Sequence, residues 1–179
     1  SIFSRDLLEL EVYNPGRTKR LFTLFNTHLK SQYLAPGENP VTGRQRADLT
    51  RSRQAQVAAR IIEARTRPDS AYLLVGDMND RPDSAPLAPL AAHPHLGLVN
   101  ALTNPQETQP PAPDNPPPVS SAWTHRFKQA GQPAQYELFD QIWLSPALAP
   151  RMTAAWIKRR GNLTGDGSDH DPAWVELDF

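Results

Sequence analysis

The chain has 179 residues, and its 19 lysines and arginines balance 19 aspartates and glutamates. The basic excess common in nucleic-acid-binding proteins is therefore absent. The length suits one domain over residues 1–179, and the lack of cysteine excludes disulfides, cysteine-type zinc sites and thiol nucleophiles. No apolar run approaches the roughly 18 residues that a membrane-spanning helix needs.

The first part of the chain predicts two strands, a long helix and a third strand. Leu8, Leu10 and Val12 alternate with glutamates, and the turn residues "NPG" separate them from a second apolar run, Leu21 to Thr27. After the loop "SQYLAPGENPVTG", the segment "RQRADLTRSRQAQVAARIIEARTR" has helical spacing, with arginines on its solvent side, and Pro68 stops it. The run "AYLLVGDMND" then predicts a short strand that leads into an acidic loop.

The second part of the chain predicts a broken helical turn, a loop and four strands. "SAPLAPLAAH" is the helical turn, and residues 104–118 hold seven prolines and are interpreted as a surface loop. The predicted strands are "SSAWTHRF", "YELFDQIWLS", "RMTAAWIKRR" and "PAWVELDF". About seven strands and one long helix predict an α/β fold in which helices pack on a sheet.

The segment "LLVGDMND" carries the first candidate site residues. Its apolar strand ends at Asp77, and the carboxyl edge of strands is where ligands gather in open α/β sheets. If the strand continued, Asn79 would point to the same side as Asp77. The alternative is an ordinary Asx turn that caps a strand.

The segment "LFNTHLKS" carries the second set. His28 closes an apolar strand and shares a face with Asn26. The candidate substrate-binding residues are Asn26, Lys30 and Ser31, and the last two could each hold a phosphate oxygen. A lone histidine at such a position is more often a hydrogen-bonded core residue than a catalyst.

Two further segments complete the set. In "YELFDQIWLS", Asp140 lies in mid-strand between Leu138 and Ile142, where an unpaired carboxylate would be expensive to bury. In "GSDHDPAW", His170 could donate one ring nitrogen to Asp140, and Asp169 could bind a divalent cation. The alternative for this second segment is a polar turn into the last strand. Carboxylates, an amide and two imidazoles together suit metal-assisted attack of water on a phosphodiester.

The order "NTHL", "GDMN", "FDQIWLS", "SDHDP", over residues 26–172, resembles the endonuclease/exonuclease/phosphatase superfamily, whose members resemble pancreatic-type deoxyribonuclease. The resemblance implies a phosphate-contacting or general-acid role for His28. Asp77 would align or deprotonate the attacking water, and Asn79 would hold the phosphate. Asp140 would orient His170. Asp169 and Asp77 are the implied metal ligands, with Mg²⁺ as the cofactor and Mn²⁺ or Ca²⁺ as alternatives.

The resemblance covers the C-terminal portion of a four-layer α/β sandwich. The superfamily's principal metal-binding glutamate has no match in this sequence, which begins at Ser1 rather than methionine. We therefore expect the chain to be part of a longer protein, with an N-terminal half that completes the metal site. The isolated chain is expected to bind magnesium weakly, and its exposed sheet face to favour a homodimer.

Within the superfamily we expect a nuclease that acts on the phosphodiester backbone of DNA or RNA. "THLKS" and "GDMND" are most similar to motifs of secreted bacterial nucleases, which implies a secreted or periplasmic location. The basic residues Lys158, Arg159 and Arg160 precede "SDHDP" and could meet a nucleic-acid backbone. The alternatives are a phosphatase, a sphingomyelinase-like phosphodiesterase, and a non-catalytic half-domain or binding module.

Overall fold

The computed structural model describes residues 2–3, 5–107, 118, 120–159 and 168–179, which form a mixed α/β fold. The helices are α1, Pro40–Arg65, and α2, Ala88–Ala91, with single 3-10 turns at Ala85–Leu87 and Ala149–Arg151. Ten strands are present in these residues: β1 Leu8–Tyr13, β2 Arg20–Asn26, β3 Tyr72–Asp77, β4 Val99–Asn100, β5 Gln106–Glu107, β6 His125–Phe127, β7 Gln135–Glu137, β8 Asp140–Leu144, β9 Met152–Ile157 and β10 Ala173–Leu177. Neither described helix is long and apolar enough to cross a bilayer.

The strands form two main sheets, and most of the pairings are antiparallel, as predicted. The first sheet has the order β1-β2-β3-β8-β4, in which only β2 and β3 are parallel. The second has the order β10-β9-β5, and β6 pairs with β7 as a separate ribbon. The described residues contain three strands more than the seven predicted, namely β4, β5 and β7. Each has only two or three residues, which is too few for an alternating pattern to be recognised in the sequence.

Part of the predicted proline-rich loop is a strand. Gln106–Glu107 pairs in parallel with β9 at Trp156 and Ile157, so the interpretation of residues 104–118 as loop is wrong at this point. Residues 108–117 of the same segment lie outside the described residues.

Two apolar cores lie on opposite faces of the first sheet. Leu74 and Phe25 pack with α1 residues such as Ile62, whereas Leu73 packs with Ile157 of the second sheet. Successive residues of β3 thus serve different cores, as the alternation of side chains along a strand requires. The described residues therefore form three layers, namely helix, sheet and sheet.

Helix α1 begins four residues before the predicted start. Asn39 accepts hydrogen bonds through Oδ1 from the backbone N–H groups of Val41 and Thr42, and Pro40 occupies the first helical position. Asparagine at the cap followed by proline is a strong start signal. The helix ends at Arg65, ahead of Pro68, as predicted.

One helix arginine is buried, which corrects the prediction that these residues face solvent. The side chain of Arg51 is 1% exposed; Nε donates to Asp80 Oδ2 at 2.8 Å and Nη1 to the Lys30 carbonyl at 2.8 Å. One turn further along, Gln54 Oε1 accepts the Lys30 N–H at 2.7 Å. This face of α1 therefore fixes the loops that follow β2 and β3.

Gly76 allows the close approach of β2 and β3 at the end where the site forms. Its φ is 139°, and a Cβ atom built there would lie 1.8 Å from the Thr27 carbonyl oxygen. We expect Gly76→Ala to lower the free energy of unfolding by about 3 kcal/mol or more, because backbone strain and overpacking add.

Urea unfolding measures this difference, with Gly37→Ala as the matched control. Gly37 also has a positive φ, 84°, but a Cβ atom there would meet nothing within 4 Å, so only the backbone strain of about 1–2 kcal/mol remains. Equal losses in the two variants would show that the contact with Thr27 does not constrain the fold.

Candidate active site

Three strand ends meet at one edge of the first sheet. The parallel strands β2 and β3 run to Asn26 and Asp77, and the antiparallel strand β8 begins at Asp140, directly opposite Asp77. The Leu29 N–H donates to the Asp77 carbonyl at 3.0 Å, which carries the β2–β3 pairing past the end of β2. The segments "NTHL", "GDMN" and "FDQIWLS" are thereby brought together, as expected from the sequence.

Asp140 and His170 form the predicted pair. His170 Nδ1 lies 2.6 Å from Asp140 Oδ2, and both side chains are about 30% exposed or less. The buried Thr124 connects the two segments, because its hydroxyl accepts the Asp140 N–H at 2.9 Å and its carbonyl accepts the Asp171 N–H at 2.6 Å. The pair is therefore held by the backbone on both sides.

His28 and Asp77 form a second, looser pair. His28 Nε2 lies 3.3 Å from Asp77 Oδ2, and the imidazole is 37% exposed. His28 is thus neither a core residue nor fully in solvent, and its ring faces the carboxylate opposite Asp140.

Asn79 is close to Asp77 for a different reason from the predicted one. Strand β3 ends at Asp77, and Asn79 has a positive φ of 54°, so the chain turns instead of continuing. The Asn79 N–H donates to Asp77 Oδ1 at 2.8 Å, which is an Asx turn. Its Nδ2 donates to the Leu29 carbonyl at 3.2 Å, and this bond uses one of the two amide hydrogens. The Asx turn given as the alternative for this segment is therefore present, and it is the turn that places Asn79 next to Asp77.

The two carboxylates have opposite shifts in pKa. Burial raises the pKa of Asp77 above its ordinary value, and the facing Asp140 adds to this effect. Burial would also raise the pKa of Asp140, but the hydrogen bond and charge of His170 outweigh it and lower that pKa. Asp140 thus stays ionised to lower pH than Asp77, and Asp77 is the better proton acceptor.

The histidines of the site also have pKa shifts of opposite direction. The hydrogen bond to Asp140 raises the pKa of His170 above its ordinary value. Burial lowers the pKa of His28, despite the neighbouring Asp77. Burial also lowers the pKa of His125, a neighbour of His170. Near neutral pH, His170 is therefore the imidazole best suited to carry a proton.

A groove of about 500 Å³ opens between the two sheets beside these pairs. Its lining includes Asn26, Asp140 and His170 of the predicted residues, together with Gly76 and Gln141. The other predicted site residues do not line this groove, namely His28, Lys30, Ser31, Asp77, Asn79 and Asp169. Lys30 lines a separate cavity with Leu34 and Glu38, and Ser31 Oγ accepts the Tyr33 N–H at 3.1 Å. The phosphate contacts expected of these two side chains stay predictions.

The three central residues of "SDHDP" lie in three different environments. The Asp169 side chain is 74% exposed, His170 faces Asp140, and Asp171 is buried at 1% side-chain exposure. The preceding Gly165, Asp166 and Gly167 lie outside the described residues.

Arg159 is buried, which corrects its predicted role in meeting a nucleic-acid backbone. Its Nη1 donates to Asp171 Oδ2 at 3.0 Å, its Nε donates to Glu107 Oε1 at 2.8 Å, and its guanidinium stacks 3.7 Å from the Trp123 ring centroid. Lys158 is exposed, and Arg160 lies outside the described residues. Arg159 therefore holds the start of β10, and with it His170, in place.

The sequence interpretation missed His125. This residue begins β6, pairs through its backbone with His170, and stacks on Phe139 with ring centroids 4.8 Å apart. Its Nε2 lies 3.4 Å from Asp169 Oδ2. The sequence "WTHRF" predicts only a strand. No pattern in the neighbouring residues indicates that its histidine contacts the distant "SDHDP" segment.

The carboxylates at the sheet edge fit a hard divalent cation in part. Asp77 and Asp140 face each other and Asp169 is exposed beside them, and carboxylate oxygens are the ligands that magnesium prefers. All three carboxylates are also in contact with histidines, so they supply an incomplete oxygen shell. Among the described residues, the ligand atoms that lie within 4.8 Å of one another belong to His125, Asp169 and His170.

Comparison with known proteins gives one family and a common fold. The profile of the Endonuclease/Exonuclease/phosphatase family matches residues 5–170. Similar solved structures include a 3′-5′ exonuclease from Neisseria meningitidis, with 16% identity, a TM-score of 0.53, and coverage of 88% of this chain and 62% of that one. No curated protein sequence matches the chain.

Two further structures have the same fold. A mannosyl-6-phosphatase from Bacteroides thetaiotaomicron is 15% identical, with a TM-score of 0.54, and the match covers 98% of this chain and 57% of that one. TDP2 from D. rerio, complexed with a single-stranded DNA product, is 17% identical, with a TM-score of 0.58 and coverage of 96% and 60%. The chain spans a little over half the length of these structures.

Proposed function

The chain belongs to the endonuclease/exonuclease/phosphatase family, whose members hydrolyse phosphoester bonds, and from that premise we propose that it serves metal-dependent hydrolysis of phosphodiesters in nucleic acid. The observation that supports this best is the pair of facing carboxylates with opposite pKa shifts, Asp77 and Asp140. Each contacts its own histidine, so the site has both a proton acceptor and a proton donor.

Asp77 acts as the base toward the attacking water. Its raised pKa makes it a stronger proton acceptor than an exposed aspartate. The Asn79 N–H fixes one carboxylate oxygen, Oδ1, and leaves Oδ2 turned toward His28 and the opening of the site.

His170 acts on the phosphoryl group. Asp140 accepts the Nδ1 proton, so the ring orientation is fixed and Nε2 is the atom available to the substrate. Because its pKa is raised, His170 can donate a proton or a charged hydrogen bond to a phosphoryl or leaving oxygen. During hydrolysis, one proton thus moves from the attacking water to Asp77, and another moves from His170 to the leaving oxygen.

His28 and Asn79 complete the phosphate site. His28 is neutral near pH 7 because burial lowers its pKa, so it acts as a hydrogen-bond partner rather than as a fixed charge. The second Nδ2 hydrogen of Asn79 can bind a phosphoryl oxygen without changing the charge of the site. A divalent cation held by Asp169 and Asp77 would offset negative charge on the phosphate.

Nucleic acid is the substrate that we favour, and a phosphorylated sugar is the second candidate. The exonuclease and the DNA-bound TDP2 have the same fold, and the groove is open rather than enclosed. Arg5 lies near enough to His28 to lower its pKa, which adds positive charge at the edge of the site. The mannosyl-6-phosphatase, with the same fold, favours the second candidate.

Hydrolysis assays on the full-length protein separate these candidates. We expect DNA oligonucleotides to be cleaved with magnesium and not with EDTA, and faster than mannose 6-phosphate. Faster release of phosphate from the sugar would favour a phosphatase. If neither substrate, nor a chromogenic phosphodiester, were cleaved above the rate of an Asp77→Asn variant, a non-catalytic binding module would replace the proposal.

A further inference from the structure

A cluster of two histidines and one aspartate lies beside the proposed catalytic pair. His125 Nε2 is 3.4 Å from Asp169 Oδ2, and His170 Nε2 is 3.8 Å from Asp169 Oδ1. All three ligand atoms lie within 4.8 Å of one another. In a tetrahedral zinc site with bonds of about 2.0–2.1 Å, neighbouring ligand atoms are about 3.4 Å apart. Small side-chain movements would therefore bring these three atoms around one ion.

One of the two imidazoles, that of His170, has the support that metal-bound histidines usually have. His170 donates Nδ1–H to Asp140, which leaves the Nε2 lone pair directed to the cluster. A carboxylate behind a histidine is the usual support for a metal-bound imidazole, since it fixes the tautomer and raises ligand basicity. His125 is held by its stacking on Phe139. Its Nδ1 is buried without a partner among the described residues, whereas its Nε2 faces Asp169.

The composition of the cluster decides which cation fits. Magnesium takes oxygen ligands in near-octahedral geometry, whereas two imidazoles and one carboxylate suit zinc and its neighbours. Three protein ligands also leave a fourth position open for water or an anion. From this geometry we propose that His125, Asp169 and His170 form a binding site for a divalent transition metal of the zinc type, which shares Asp169 with the proposed magnesium site but prefers a different cation.

The metal would replace the Nε2 proton of His170, which is released to solvent, and bind the nitrogen lone pair. Zinc binding does not depend on the proposed function. Inhibition of hydrolysis by zinc does depend on it. If His170 Nε2 acts on the substrate, zinc in this site competes with that action and slows magnesium-supported hydrolysis. Zinc binding and zinc inhibition are therefore measured separately, so that failure of the proposed hydrolysis leaves the binding result intact.

Zinc titration calorimetry on the 179-residue chain, in millimolar magnesium, tests the proposal. We expect one zinc ion per chain, with affinity weakened at least about tenfold in His125→Gln and in Asp169→Asn. The control is His95→Gln, which removes an exposed histidine elsewhere on the surface. Cobalt as a substitute should give visible absorption typical of imidazole ligands in the wild type only.

Two results would overturn the proposal. One is the absence of one-to-one zinc binding, and the other is wild-type affinity in both His125→Gln and Asp169→Asn. If the buried His125 variant does not fold, Asp169→Asn decides alone, because the Asp169 side chain is 74% exposed and we expect the fold to tolerate its replacement.

Discussion

Asp77→Asn is expected to lower kcat/KM for phosphodiester hydrolysis by the full-length protein about 10²- to 10⁴-fold, the contribution typical of a positioned base. The amide keeps the shape of the side chain, and its oxygen can still accept the Asn79 N–H, so the turn at the end of β3 is retained. The ability to accept a proton from water is lost.

Steady-state kinetics with an oligonucleotide and with a chromogenic phosphodiester measure this loss. The matched control is Asp83→Asn, since that carboxylate follows the same strand but is 78% exposed and pairs with Arg81. It should stay within about twofold of the wild type. An Asp77→Asn variant that remains within tenfold of wild type while folding normally would exclude Asp77 as the base.

Asp140→Asn is expected to reduce hydrolysis by a similar order, with the loss larger at pH 8 than at pH 6. In the folded protein the hydrogen bond from Asp140 raises the pKa of His170, so His170 stays protonated above its ordinary titration range. Removing the carboxylate charge lowers that pKa. The alkaline limb of the pH–rate profile should therefore move to lower pH.

The ion pair of Asp140 and His170 stabilises the fold only within a limited pH range. His170 has a raised folded-state pKa, so its contribution is present below the ordinary histidine value and is lost as pH rises through the folded value. Asp140 has a lowered pKa, so its contribution is present above the ordinary aspartate value and is lost as pH falls through the folded value. The ion pair is complete only between these limits.

The pH–rate profile of Asp140→Asn, recorded together with the NMR titration of His170, provides the test. Asp178→Asn, an exposed change near the C-terminus, serves as the control. We expect both the kinetic limb and the NMR titration of His170 to shift downward together. A profile that keeps the wild-type alkaline limb would remove His170 from the proton-donating role.

The pairing of Asp140 with His170 could be predicted because it follows from one physical requirement. A carboxylate between apolar strand residues needs a partner, and the histidine in "SDHDP" was the nearest suitable group by type. The positions of His28 and Asp77 at strand ends could also be predicted, whereas their contact depends on the parallel pairing of β2 with β3, which the sequence did not indicate. These features depend on strand ends, and apolar runs mark strand ends clearly.

The remaining features depend on tertiary packing that no local pattern records. Arg51 and Arg159 appear in charged stretches, yet each is 1% exposed because carboxylates and carbonyls from distant segments surround it. His125 joins the site only because β6 lies beside the start of β10. Asn79 reaches the site through a left-handed turn, which strand periodicity does not predict.

We propose that His28 and His170, from opposite ends of the chain, face one phosphate-binding site. Titration with inorganic phosphate, followed through the ring protons of the chain's five histidines, measures this directly. The signals of His28 and His170 should shift with one common Kd, while those of His93 and His95 stay in place. Different Kd values for His28 and His170, or a response in only one of them, would contradict a single site.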